Sequence, residues 1–173
     1  GAALDYLKYE HVQQHGYDSY EDLKKARDEL SAKMSDARNT AKSTDADLKL
    51  LNEKIHYLGQ YLSTKAAYKA FLQAGNKKMY RSAHQDEIAR YEEAIQFLKR
   101  NSTDGTIPTM KNLRAEKEKL LSAQTAQYKS YTYFKDYYHE LQTACRNVDI
   151  ILEMEHTQQH SRTQPKRSHK PSL

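Results

Sequence analysis

Two stretches of this chain place apolar residues at alternating three- and four-residue steps. The first runs Leu30, Met34, Ala37, Ala41, Thr44, Leu48, Leu51, Ile55, Leu58 and Leu62. The second runs Met110, Leu113, Lys117, Leu120, Gln124, Gln127, Tyr131, Phe134, Tyr138, Leu141, Cys145, Val148 and Leu152. An α-helix turns every 3.6 residues, so such steps keep one narrow seam facing one partner, as coiled coils require. Nothing breaks the pattern from Tyr20 to about Gln73, which predicts a helix of about 50 residues, roughly 80 Å long at 1.5 Å per residue. Asn39, Thr40, Ser43 and Thr44 are poor helix formers near its middle and predict a local weakening. The second long helix is expected to run to roughly Glu153, with Thr109 as its cap.

Shorter signals fill in the rest. Residues 1–16 read as a short N-terminal helix, with Leu4, Leu7 and Val12 on one side and Gly16 as the stop. Ser19 with Asp22 resembles a capping box at the start of the first long helix. Ala74-Gly75-Asn76 is the next punctuation, and Ser82 with Gln85 marks a second capping box, opening a helix to about Arg100. The apolar face of that helix is Ile88, Tyr91, Ile95 and Leu98. Asn101 to Pro108 reads as a loop.

The fold class expected from this pattern is all-α and elongated: two long antiparallel, coiled-coil-like helices over 17–155, with shorter helices beside them. Burying both seams against each other supplies the stability that isolated helices lack. Lys117, Gln124 and Gln127 interrupt the second seam. Either that stretch is open to solvent, or it meets a partner outside the chain, or it forms a polar layer that sets register. Association of two copies through the seams is the alternative to pairing within one chain.

Composition sharpens this outline in three places. The chain has 173 residues, with 38% apolar and 29% charged residues, which suits an extended helical shape with a thin core. Tyrosine supplies 14 of the aromatics against 3 Phe and no Trp, and its ring can be buried while its hydroxyl stays wet. The net charge of +5 is local: residues 156–173 hold Arg162, Lys166, Arg167 and Lys170 and no acid, so the remainder is close to neutral. That basic tail, with two prolines and almost no apolar residues, is expected to be disordered. No apolar run approaches the ~20 residues needed to cross a bilayer, and no signal peptide is evident. The initial Gly-Ala-Ala, without Met, suggests a cloning scar or an excised fragment of something longer.

The search for chemistry returns little. Cys145 lies on the second seam and reads as a small buried apolar residue. His11 and His15 share a helix face, but no third ligand follows at usable spacing, and His156, His160 and His169 fall in the tail. There is no phosphate-binding loop, no dinucleotide fingerprint and no nucleophile elbow. No catalytic residue, metal or cofactor is expected. One cluster could instead contact nucleic acid: Lys65, Lys69, Lys77, Lys78 and Arg81, interleaved with Tyr68, Phe71 and Tyr80. Cations neutralise phosphates, and neighbouring rings could stack on unpaired bases. The plainer reading is a solvated lysine face with aromatics anchoring a helix–helix corner. The basic tail is a second, generic electrostatic arm.

Several residues together resemble a known family. Thr64-Lys65-x-x-Tyr68-Lys69-Ala70, then Lys77-Lys78 and His84-x-x-Glu87-Ile88, resemble the C-terminal region of MobA/MobL-type relaxases, the mobilisation nucleases of bacterial conjugative elements. His15-Gly16-x-Asp18-Ser19-Tyr20-Glu21-x-Leu23, Pro108-Thr109-x-Lys111-x-Leu113-x-x-Glu116, Tyr128-x-x-Tyr131 and Asn147-Val148-Asp149 extend the resemblance over most of residues 10–152. Each motif alone is weak, and their order and spacing carry the likeness. It implies a cytoplasmic bacterial helical extension, separate from the tyrosine and metal-binding histidines of the nuclease domain. Such an extension would contact transfer-origin DNA or dock relaxosome or coupling proteins, without a membrane. Members of the family are often basic after the positions matching Tyr128-x-x-Tyr131. Here Thr132-Tyr133-Phe134 and Tyr137-Tyr138 are aromatic, which favours packing or protein contact for the last helix and leaves the Lys65–Arg81 cluster as the better DNA candidate.

Overall fold

The computed structural model describes residues 17–163, with side chains as far as residue 161. Among them four α-helices and no strand are found: α1 (Tyr20–Gln73), α2 (Lys77–Ala83), α3 (Gln85–Arg100) and α4 (Met110–Thr163). The two long helices each have 54 residues. The expected bounds of α1 are met, and its run of Asn, Ser and Thr residues does not interrupt it. The expected helix over 1–16, the His11/His15 pair, His169 and the last ten residues of the tail lie outside the described residues.

Local chemistry explains where the helices begin. Ser19 Oγ accepts from the Asp22 amide at 3.1 Å, which satisfies one orphan donor at the start of α1. Thr109 Oγ1 does the same for Asn112 at 3.2 Å, as the sequence predicts for α4. The corner between α1 and α3 differs from expectation. A seven-residue helix, α2, follows Asn76, whose side chain accepts from the Met79 amide at 3.0 Å. Ser82 lies inside α2, and the residue ahead of α3 is His84, which makes no side-chain cap bond. The Ser82–Gln85 capping box is therefore absent, because Asn76 nucleates a helix earlier and Ser82 is consumed within it. The C-terminal helix also runs further than expected. It continues through residues 156–163, part of the segment expected to be disordered, since Glu153 to Thr163 contains neither Gly nor Pro to stop it.

The chain forms two compact units, one of residues 17–38 with 129–163 and one of residues 39–128, so that both α1 and α4 contribute to each. In the first unit Leu23 and Leu30 of α1 are buried with Tyr137, Leu141, Ala144, Cys145 and Val148 of α4. Tyr17, Tyr20, Ala26, Phe134 and Tyr138 pack around them. Cys145 is the buried apolar residue that the seam predicts, and burial pushes its thiol pKa up. Hydroxyls close the edges of this core. Tyr20 donates to the Asp149 carboxylate, and the Tyr17 and Tyr137 hydroxyls bond each other. Burial first, then the hydrogen bond to Asp149, raises the pKa of the Tyr20 phenol; burial and Tyr17 raise that of Tyr137. Arg38 Nη2 donates to the Tyr131 hydroxyl at 3.4 Å.

In the second unit Leu51 and Leu58 of α1, Leu98 of α3 and Leu113 of α4 form the buried cluster, flanked by Ile55, Tyr57, Phe97, Met110 and Leu120. Gln60 Nε2 donates to the Arg90 carbonyl at 2.7 Å, tying α1 to α3. The first seam departs from its template here: Leu62 is 51% exposed, while Thr64 is buried at 2%. A third helix packs on α1 at this point, so the buried face swings onto Tyr61, Thr64 and Tyr68. Thr64 is satisfied locally, its hydroxyl donating to the Gln60 carbonyl at 2.7 Å. One polar interruption of the second seam is also explained. Gln124 Nε2 donates to Asp45 Oδ1 at 2.9 Å, whereas Gln127 buries its Oε1 without a hydrogen-bond partner among the described residues.

Candidate nucleic-acid interface

The eight residues singled out from sequence lie in the second unit, at the elbow formed by the end of α1 and by α2. Lys65 and Lys69 stand one turn apart on α1, Lys77 and Lys78 open α2, and Arg81 lies in its last turn. All four lysines are exposed, and none is in an ion pair with a described residue. Lys65 reaches over the Tyr61 ring, with Nζ 5.7 Å from its centroid.

Arg81 is differently placed. Its Nη2 lies 2.6 Å from Glu92 Oε1 on α3, and its guanidinium sits 5.0 Å from the centroid of Phe71 on α1. One side chain on α2 thus links α1 and α3. The ion pair is half-exposed and contributes on the order of 0.2–1 kcal/mol; the ring contact adds a similar increment.

Tyr68 is half-buried, and its ring stacks on Tyr91 of α3 with centroids 4.0 Å apart and planes 12° apart. Tyr91 also meets Tyr61 at 5.4 Å, and burial raises its phenol pKa. Tyr80 stacks on His84 at 4.2 Å and approaches Phe71 at 6.3 Å. Tyr68 also meets Phe71 at 5.7 Å, so the rings form one contiguous cluster of stacked and tilted pairs, each tyrosine or phenylalanine pair contributing roughly 0.5–1.5 kcal/mol beyond area burial. Sequence reasoning brought these residues together because they are close along the chain. It placed Tyr91 on the apolar face of α3 but joined neither Tyr91 to Tyr68 nor Glu92 to Arg81; an aromatic next to an acid on the edge of a helix is too common a signal to read alone.

The second unit also carries an open groove of about 860 Å³ whose walls mix Asp45 and Glu53 with Lys49, Arg100 and Lys117. Leu48, Tyr57 and Phe97 also line it. Opposite charges line it without a convergent set of one sign. Among the described residues no group of three or more His, Cys, Asp or Glu is arranged to hold a metal ion. No helix among them is long and apolar enough to cross a membrane. Comparison of the chain with protein families, with curated proteins and with solved structures finds no match.

Proposed function

We propose that this chain is a non-catalytic helical region of a bacterial mobilisation relaxase and supports conjugative DNA transfer, by contacting DNA or by docking relaxosome or coupling proteins. The observation that carries the reading is the set of four exposed lysines at the α1–α2 elbow, none in an ion pair with a described residue, in a segment whose motifs resemble those of MobA/MobL-type relaxases. Lysines on a rigid helical scaffold act as point charges towards phosphate. The long helices pair antiparallel in this reading. Within the first unit that pairing is supported by Tyr20 bonding Asp149 while Arg38 bonds Tyr131, so that positions rise along α1 as they fall along α4.

The test is genetic and biochemical together. In the parent relaxase, changing Lys65, Lys69, Lys77 and Lys78 to Ala should leave strand nicking in vitro intact and reduce transfer of the element at least tenfold. A parent gene without a nuclease domain upstream, or transfer unchanged in that variant, would remove the proposal.

The competing reading is an adaptor that binds only protein, as a homodimer or with another chain. It is favoured by the internal use of Arg81 and the elbow rings, and by Tyr128, which is 72% exposed on α4. Transfer that survives loss of the lysines but fails with Tyr128→Ala would select it.

A further inference from the structure

We infer that the elbow grips double-stranded DNA through its sugar–phosphate backbone, prefers duplex to single strand, and is indifferent to base sequence. The inference rests on the DNA-contact reading above and narrows it. Recognition of unpaired bases needs aromatic faces on which they can stack. Here each elbow ring already has a partner within the fold on one face. Tyr68 lies flat on Tyr91, Tyr80 lies flat on His84, and Phe71 carries the Arg81 guanidinium. Arg81, the side chain best suited to bidentate base contact, is held by Glu92.

What remains for a ligand is Lys65, Lys69, Lys77 and Lys78, four compact charges without planar recognition groups. Such a set responds to charge density. A duplex presents one phosphate charge per about 1.7 Å of axis, and a single strand about half as many, so the duplex is the stronger partner. Neutralising four phosphates gives a log–log salt slope of about −3.6, or roughly 150-fold weaker binding between about 50 and 200 mM salt.

The experiment measures anisotropy of a labelled duplex, and of a labelled single strand of the same sequence and length, titrated with the full chain over a salt series. Variants are the four-lysine change to Ala, Tyr68→Leu and Tyr80→Leu, with helical content checked by circular dichroism. The expected result is tighter binding to duplex, with the slope above. Affinity should be unchanged by scrambling the sequence, abolished in the lysine variant, and altered less than about twofold in the two Leu variants, which keep the apolar packing. Tighter binding to the single strand, weakened tenfold or more by either Leu variant, would overturn the duplex inference while leaving DNA contact standing. No binding to either probe at low salt, or binding unaffected by loss of the lysines, would overturn the DNA-contact reading and the inference with it.

Discussion

At the scale of single residues, the clearest electrostatic device is Asp104 in the α3–α4 loop. Its Oδ1 accepts from Ser102 Oγ at 2.8 Å, from the Thr106 amide at 3.0 Å and from Thr106 Oγ1 at 2.7 Å. The Thr106 bonds come first and Ser102 next in holding its carboxyl well below the usual range, at about 2. Gly105, between them, has φ +74°, the left-handed conformation that a turn of this kind reserves for glycine. Because the folded pKa is depressed, the ionised Asp104 stabilises the fold above about pH 4, and that contribution disappears as pH falls towards about 2. Asp104→Asn should therefore melt below the wild type at pH 7, and the gap should close between about pH 4 and 2. Melting temperatures of both proteins across that range check it, and a pH-independent gap would exclude the ionic account. Turn chemistry of this kind was visible in the sequence as an Asn-Ser-Thr-Asp-Gly-Thr run. The Arg81–Glu92 pair was not, since eleven residues and a helix boundary separate its members.

At the scale of elements, periodicity located most of what is buried. Apart from Leu152, every residue of the second seam is at least half-buried, as the narrow repeat predicts. The seam failed where a third helix intervened. A two-helix template places Leu62 inwards, but α3 covers the Thr64 side instead, and a heptad reading has no means of anticipating that rotation. The distinction has an energetic consequence. Leu141→Ala, at a fully buried position, should lower stability by about 2–5 kcal/mol, whereas Leu62→Ala should fall within about 0.5 kcal/mol of wild type. Urea unfolding of the two variants measures both; equal losses would show that the seam, and not the packed face, governs burial. The short helix α2 escaped prediction for a different reason. Its Lys-Lys-Met-Tyr-Arg-Ser-Ala sequence has no buried residue to leave an apolar period, and its start is set by one asparagine side chain.

At the scale of the molecule, the described residues form two clusters of buried side chains, one in each unit. No residue of α1 between Leu30 and Thr44 is buried, and none of α4 between Leu113 and Tyr137. Sequence marked the α4 stretch by Lys117, Gln124 and Gln127 at seam positions, which read equally as solvent, register layer or partner contact. Hydrogen exchange should resolve the two units: in Leu141→Ala, amides around Leu23 and Val148 should lose protection while those around Leu51 and Leu98 retain it. Uniform loss would mean one cooperative core. The way the chain is threaded also sets an order of assembly. The second unit is an insertion between the two halves of the first, so its partners are closer in sequence: Tyr57 meets Glu93 across 36 residues, while Tyr20 meets Asp149 across 129. Loop-closure entropy rises with that separation, and a folded insertion shortens the loop that the outer contacts must close. On the ribosome the second unit can assemble once Tyr128 has emerged, whereas Leu23 and Leu30 wait for Tyr137 to Val148. The first unit is thus completed last, by the half of α4 that is made last.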